Sequence, residues 1–350
     1  MTGTPALEPL GNVLASIELP RPPSLEFGAW QAIEDNAARL RAAVAADDRP
    51  LAVGCCRELV ESIAKVIVEV RSGTVRDRDD FQQVVNHAHG LIQYQPGDGL
   101  ALESYARGAA DKAKKLAFLL GEFRNARGTG HGRSFAPEVA DEVLEMCLAA
   151  ALLWSRWALR RVEHYILGDI EKLVHDLSGG GWFHRGTLKQ RLLAADLPRL
   201  SKADQHRLGV AVGRRVAGNT FVVRGDGVDA CIWSQDSAAW PVSYRFGLVE
   251  GLFIDSNGQL HVDDQSRTPR MIADLYSVFG DMTGVVVDLR AKVARALWSK
   301  EFVRQWTAVV AEMTLMQASF EGDDQRDWAA MITELTTTGA HHDGLIPGSR

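Results

Sequence analysis

A chain of 350 residues, 46% hydrophobic and 24% charged with a net charge of −6, has the composition of a globular protein and the length of two domains. No apolar run approaches the ~20 residues a membrane span needs, and no basic stretch followed by an apolar one opens the chain, so neither a membrane protein nor a secreted one is expected. Four cysteines (Cys55, Cys56, Cys147, Cys231) offer neither a disulfide framework nor a metal-ligand spacing, which fits reduced cytoplasmic thiols and no bound metal or cofactor.

Residues 1–28 hold five prolines and little periodicity, and are expected to form an irregular arm. A first helix is expected near Trp30–Ala46, with Trp30, Ile33, Ala37, Leu40 and Val44 on its apolar face. Asp47 and Asp48 precede Pro50 and open a second, about 50–71, that buries Val53, Cys56, Val60, Ile63, Ile67 and Val70. Its other face carries Glu58, Glu61, Lys65 and Glu69, where Glu61 can pair with Lys65. A short helix over 78–92 holds His87 and His89, which two-residue spacing turns apart, so no metal pair is expected. A turn at Gln95-Pro96-Gly97-Asp98-Gly99 leads to a helix over about 101–125. Pro137 opens a long helix reaching Leu167 or beyond. Its apolar stretch 146–154 and Trp154 and Trp157 exceed what one bundle must bury, which suggests a homodimer interface.

Ser178-Gly179-Gly180-Gly181 marks the expected domain boundary. Helices follow near 186–195 and 202–217, the second capped by Ser201. Two β-rich runs, Thr220–Arg224 and Val228–Trp233, are joined by Gly225-Asp226-Gly227, a hairpin signal. Helix, helix, basic hairpin is the order of a winged helix. A second hairpin, Tyr244–Asp255 with Gln259–Asp263, would turn at Ser256-Asn257-Gly258. Helices are expected over 268–337, then a loose tail over 338–350.

Charge is unevenly spread. Residues 105–133 carry seven cations and two acids, and residues 182–224 carry nine cations and two acids. Two basic segments on an acidic body suggest local contacts with polyanions, or solvated helix faces neutralised by acids close in space. In the second segment Lys202, Arg207, Arg214 and Arg215 are the candidate nucleic-acid contacts, with DNA or a protein as the partner of this half.

The chain is organised around Glu122-Phe123-Arg124-Asn125-Ala126-Arg127-Gly128-Thr129-Gly130-His131-Gly132-Arg133, between two strongly helical segments. Glycine lets backbone approach a ligand, arginine matches phosphate oxygens with a fixed fork, and histidine exchanges protons near neutral pH. Arg124 follows Leu120 by four residues and Ala117 by seven, so it continues the helix's apolar stripe and wants a partner. Residue chemistry alone also admits a blander reading. Arg124 and Arg127 would favour a helix C-terminus, Gly128 would cap it, and His131 would be a loop histidine.

Arg124-Asn125, five residues, then His131 resembles the Arg-polar-x(4–6)-His motif of HEPN-fold ribonucleases. The fuller string RNARGTGHG, with Cys56–Lys65 upstream, resembles the abortive-infection C-terminal domain family, a branch of that superfamily found in bacterial anti-phage systems. The likeness covers about residues 29–166. The family is named for a C-terminal position, whereas here roughly half the chain follows. The resemblance implies a metal-independent endoribonuclease, an anti-phage effector or toxin, working as a homodimer on RNA, with transfer RNA among the candidates. It assigns catalysis to Arg124, Asn125 and His131, support to Glu61 and Thr129, and RNA tracking to Lys114, Lys115, Arg127 and Arg133. The alternative it leaves is a non-catalytic regulator or sensor that binds nucleotides or nucleic acid. The expected fold is mainly α: an HEPN-like helical domain over 29–177, then an α+β domain with a small sheet over 182–337.

Overall fold

The computed structural model describes residues 17–72, 80–95, 104–127, 138–179, 186–218, 220–263 and 267–345. The chain divides into two compact units, Met1–Asp169 and Ile170–Arg350.

Among the described residues the first unit is a bundle of five helices: α1 (Phe27–Ala45), α2 (Arg49–Ser72), α3 (Phe81–Ile92), α4 (Ser104–Arg127) and α5 (Asp141–Leu167). Helix α2 is central and packs against the other four. Its sequence explains this, because Val53, Cys56, Leu59, Val60, Ile63, Ala64 and Ile67 give it a wide apolar face, and all are buried. Polar residues set the ends. Asp80 and Gln83 cap α3 reciprocally, and the Asp48 carboxylate accepts from the Leu51 N–H at the start of α2. Ahead of α1, residues 17–26 form the expected irregular strap. Ile17 and Leu25 sink into the core, and Ser24 donates from its hydroxyl to Glu163 on α5 at 2.6 Å. Residues 1–16 lie outside the described residues.

The second unit is also helical. It contains α6 (Ile170–Ser178), α7 (Leu188–Ala195), a 3₁₀ turn at Leu197–Arg199, α8 (Lys202–Ala217), α9 (Phe221–Arg224), a π turn at Gly225–Asp229, and α10 (Ala230–Ser234). Helices α11 (Val242–Phe253), α12 (Thr268–Val278), α13 (Val285–Val293), α14 (Lys300–Met316) and α15 (Gly322–Leu345) complete it. Among the described residues its sheet is β1 (Gln259–Leu260) pairing parallel with β2 (Leu297–Trp298). Helix α6, expected on the first domain, packs on α8 in this unit.

The tightest packing here joins α8 to α11, glycine to backbone. A methyl on Gly209 would stand 2.1 Å from the Tyr244 carbonyl oxygen, and one on Gly213 2.5 Å from that of Leu248. From α11, a methyl on Gly247 would stand 2.1 Å from the His206 carbonyl oxygen and one on Gly251 2.2 Å from that of Val210. No Cβ fits at any of the four, so these glycines set how closely the helices approach.

Three expectations are corrected. Residues Phe221–Ser234 form a helix interrupted by a π turn, not a hairpin, so no winged helix forms. Gly227 is required for another reason than a turn: its absent methyl leaves room for Val212, 2.5 Å from where a Cβ would lie, and its carbonyl accepts from the Tyr244 hydroxyl. Tyr244–Phe253 is likewise helical, because an apolar run buried on nearly every side carries no period to separate helix from strand. The turn that follows does form, with the Asp255 carboxylate accepting from the Asn257 and Gln259 N–H groups and Gly258 at φ 71°. The expected loose tail is helical to Leu345, and Gly339 packs directly under the Trp306 ring. Residues 346–350 lie outside the described residues.

Candidate functional site

Helix α4 carries the first part of the motif. Ala110, Ala113, Ala117 and Leu120 face the core, while Tyr105 at the start of the helix is 88% exposed. Arg124 lies one turn beyond Leu120 and is half-buried, as the stripe implied. It has no hydrogen bond or ion pair among the described residues. Asn125 is exposed one residue on, and the helix ends at Arg127. A cation in the last turn is favoured by the helix dipole. The Arg127 side chain, Gly128, Thr129, Gly130, His131, Gly132 and Arg133 lie outside the described residues.

Glu61 does pair with Lys65, at 2.9 Å, but it also holds Arg57 at 2.8 Å. The Arg57 guanidinium lies over the Phe81 ring, 4.7 Å from its centre, and that ring abuts Gly121 on α4. Gly121 precedes Arg124 by one turn. The Glu61–Arg57 pair thus sits beside the turn of α4 that leads into the motif, reaching it through Phe81 rather than by direct contact.

Lys114 is engaged elsewhere. Its ammonium donates to Asn86 on α3 and pairs with Asp111, both at 3.1 Å. Lys115 is exposed. Between Asp111 and the long helix α5 sits a histidine that sequence reasoning treated only as a rejected metal ligand. His89 is 1% exposed, its Nε2 3.3 Å from Asp111 and its ring 4.7 Å from that of Trp157. Burial, followed by the Lys114 charge, lowers its pKa to about 4. Neutral His89 donates from Nε2 to the carboxylate. His87 is exposed, as the spacing required, and among the described residues no cluster of three potential metal ligands occurs.

In the second unit the four candidate contacts do not form one open face. Lys202 is exposed on the first turn of α8. Arg207 pairs with Glu171 on α6, and Arg214 donates from Nε to the Ile254 carbonyl at 3.1 Å. Arg215 is half-buried, and residues 208–213 are all buried. The strongest polar anchors of this unit went unnoticed in the sequence. Arg245, fully buried, reaches Asp281 at 2.5 and 2.8 Å, the Trp240 carbonyl at 2.8 Å and the Phe279 ring at 4.0 Å. Asp324 accepts from the Gly284 and Val286 N–H groups at the start of α13. Neither the ion pair nor the cap follows a local spacing, since Asp281 lies 36 residues from Arg245 and Gly284 lies 40 from Asp324.

Residues 31–159 match the family model of Abi_C, described as an HEPN-like domain. No curated protein and no solved structure matches the chain. Among the described residues no helix is long and apolar enough to cross a membrane.

Proposed function

We propose that this chain, whose residues 31–159 form an HEPN-like domain of the abortive-infection type, is a metal-independent endoribonuclease that acts as an effector or toxin in phage defence. The observation that carries the reading is Arg124. It stands half-buried at the end of α4 without an ion pair among the described residues, in an HEPN-like domain, seven residues before His131. A cation with no carboxylate partner among the described residues, at the edge of a core, is available to an anionic substrate.

In this mechanism a ribose 2′-hydroxyl attacks the adjacent phosphorus, and its proton passes to a base. His131 takes that proton or delivers one to the departing 5′-oxygen. Arg124 holds the scissile phosphate and stabilises the charge that develops on it. Asn125 orients the imidazole or the phosphate. The products carry a 2′,3′-cyclic phosphate and a 5′-hydroxyl. Following the family pattern, two protomers bring their motifs into one groove, where Lys115, Arg127 and Arg133 track the RNA backbone. Lys114, tied to Asp111 and Asn86, contributes less than the other three.

The test is cleavage of total RNA and transfer RNA in EDTA, with the fragment ends mapped. His131→Ala is expected to lose about 10²–10⁴-fold in rate while remaining folded. A folded His131→Ala variant that cleaves like the wild type would reject the mechanism. Binding of RNA without cleavage by either protein would favour the regulator reading.

A further inference from the structure

The strap and helix α5 border an open groove of about 1060 Å³. The strap is pinned to the helix at both ends. Arg156 donates from Nε to the Glu18 carbonyl at 3.1 Å. The Glu163 carboxylate accepts from the Ser24 N–H at 3.0 Å and from its hydroxyl at 2.6 Å. Between these pins Pro20, Pro22 and Pro23 line the groove. Proline has no N–H, so these residues offer a ligand rings and carbonyls but no backbone donor.

The lining changes character along α5. In the N-terminal half of the helix it consists of Leu148, Ala149, Leu152 and Leu153, below the acid Glu145. Leu153 is 54% exposed. One turn further on, Arg156, Trp157, Arg160 and Arg161 take over. Arg160 is exposed and has no ion pair among the described residues. With Arg21 from the strap, four arginines line the groove against two carboxylates, and one of the two, Glu163, is engaged by Ser24. The groove is thus apolar in one half and cationic in the other. We propose that it binds a free organic acid with an unbranched hydrocarbon chain, the chain along Leu148, Leu152 and Leu153 and the carboxylate at Arg160. A carboxylate matches a guanidinium fork, and the chain gains by leaving water. Size argues against a partner helix. From Glu145 to His164 the lining follows α5 for about 28 Å at 1.5 Å per residue. An α-helix about 10 Å across and equally long would fill roughly 2200 Å³, twice the groove. An anionic membrane surface also fits less well, because Glu142 and Glu145 stand exposed at the apolar end.

Isothermal titration calorimetry of the full chain with decanoate, held below its micelle concentration, tests this. One molecule per chain is expected. Octanoate should bind at least tenfold more weakly, since each buried methylene contributes about fourfold. Decanol keeps the chain and lacks the charge, and Arg160→Glu reverses the charge that meets it. Each is expected to weaken binding by about threefold to tenfold. Leu153→Glu changes an exposed position and should abolish binding with an unchanged helical spectrum. A chain that takes up no decanoate would overturn the proposal. So would affinities that ignore chain length, or that survive both Leu153→Glu and Arg160→Glu. Retention on vesicles of anionic phospholipid without binding of free decanoate would overturn it in favour of a membrane. The readout is heat of binding, so the result is independent of whether the chain cleaves RNA.

Discussion

Arg124 and His89 are two buried-side polar groups with opposite fates. Arg124 ends a core stripe without an ion pair among the described residues, whereas His89 is enclosed by Asp111, Lys114 and Trp157. If Arg124 binds the transferring phosphate, its flat fork matters as well as its charge. Arg124→Lys is then expected to cut the cleavage rate by about 10²-fold with little change in melting temperature, comparable to removing one oxyanion donor. An equal loss of rate and stability would mean that Arg124 only supports the helix end. His89 makes a prediction about pH. Its pKa is lowered from 6.5 to about 4 on folding, so the unfolded chain binds the proton first as pH falls. Its contribution to stability is whole above pH 6.5 and is lost between about 6.5 and 4, by up to roughly 3 kcal/mol. Denaturant titrations across that window should show a slope in the wild type that His89→Gln flattens. Arg124 was legible from its spacing after Leu120. His89 was not, because its burial depends on Asp111 and Trp157, which approach it from two other helices.

At the level of elements, helices with a one-sided apolar face were legible, while the short helical turns of 221–234 and the nearly all-buried helix over 244–253 were not. The faces of α1 and α2 follow the three- and four-residue spacing of their apolar residues. Residues 221–234 and 244–253 lacked such a period, and their glycines and β-branched residues resembled hairpins. Their glycines serve packing instead. Gly209 and Gly213 on α8 face Gly247 and Gly251 on α11 closely enough that a methyl would meet backbone. Gly213→Ala is expected to destabilise the second unit by about 1–3 kcal/mol, toward the upper end because backbone cannot move aside as a side chain can. Gly225→Ala, with nothing within 4 Å, serves as the control. Thermal melts of the two variants would show it, and equal shifts would mean that the α8–α11 approach relaxes without cost.

For the molecule as a whole, local charge balance decides which basic segments remain available. The run over 182–224 suggested a polyanion surface, yet Arg191 pairs with Asp176, Arg199 with Asp196, Arg207 with Glu171 and Arg224 with Asp229. Much of that charge is neutralised inside the second unit by acids, two of them from α6. In the first unit Lys114 is spent in the same way, while Lys115 and Arg124 are left without such pairs among the described residues. On the proposed reading, Arg124 and Lys115 on α4 are therefore the cations that would meet RNA.

The sequence by itself determined the mainly helical class, the HEPN-like bundle and the place of Arg124 and Asn125 on it. These depend on periodicity and on a short motif, both local along the chain. Tertiary structure alone decided which polar groups are engaged: Lys114 by Asn86, Arg245 by Asp281, Asp324 by the start of α13. It also turned two expected hairpins into helices. In each case the deciding partner lies on another element, at a sequence distance that no local pattern encodes. A group's burial and charge balance are properties of what packs against it.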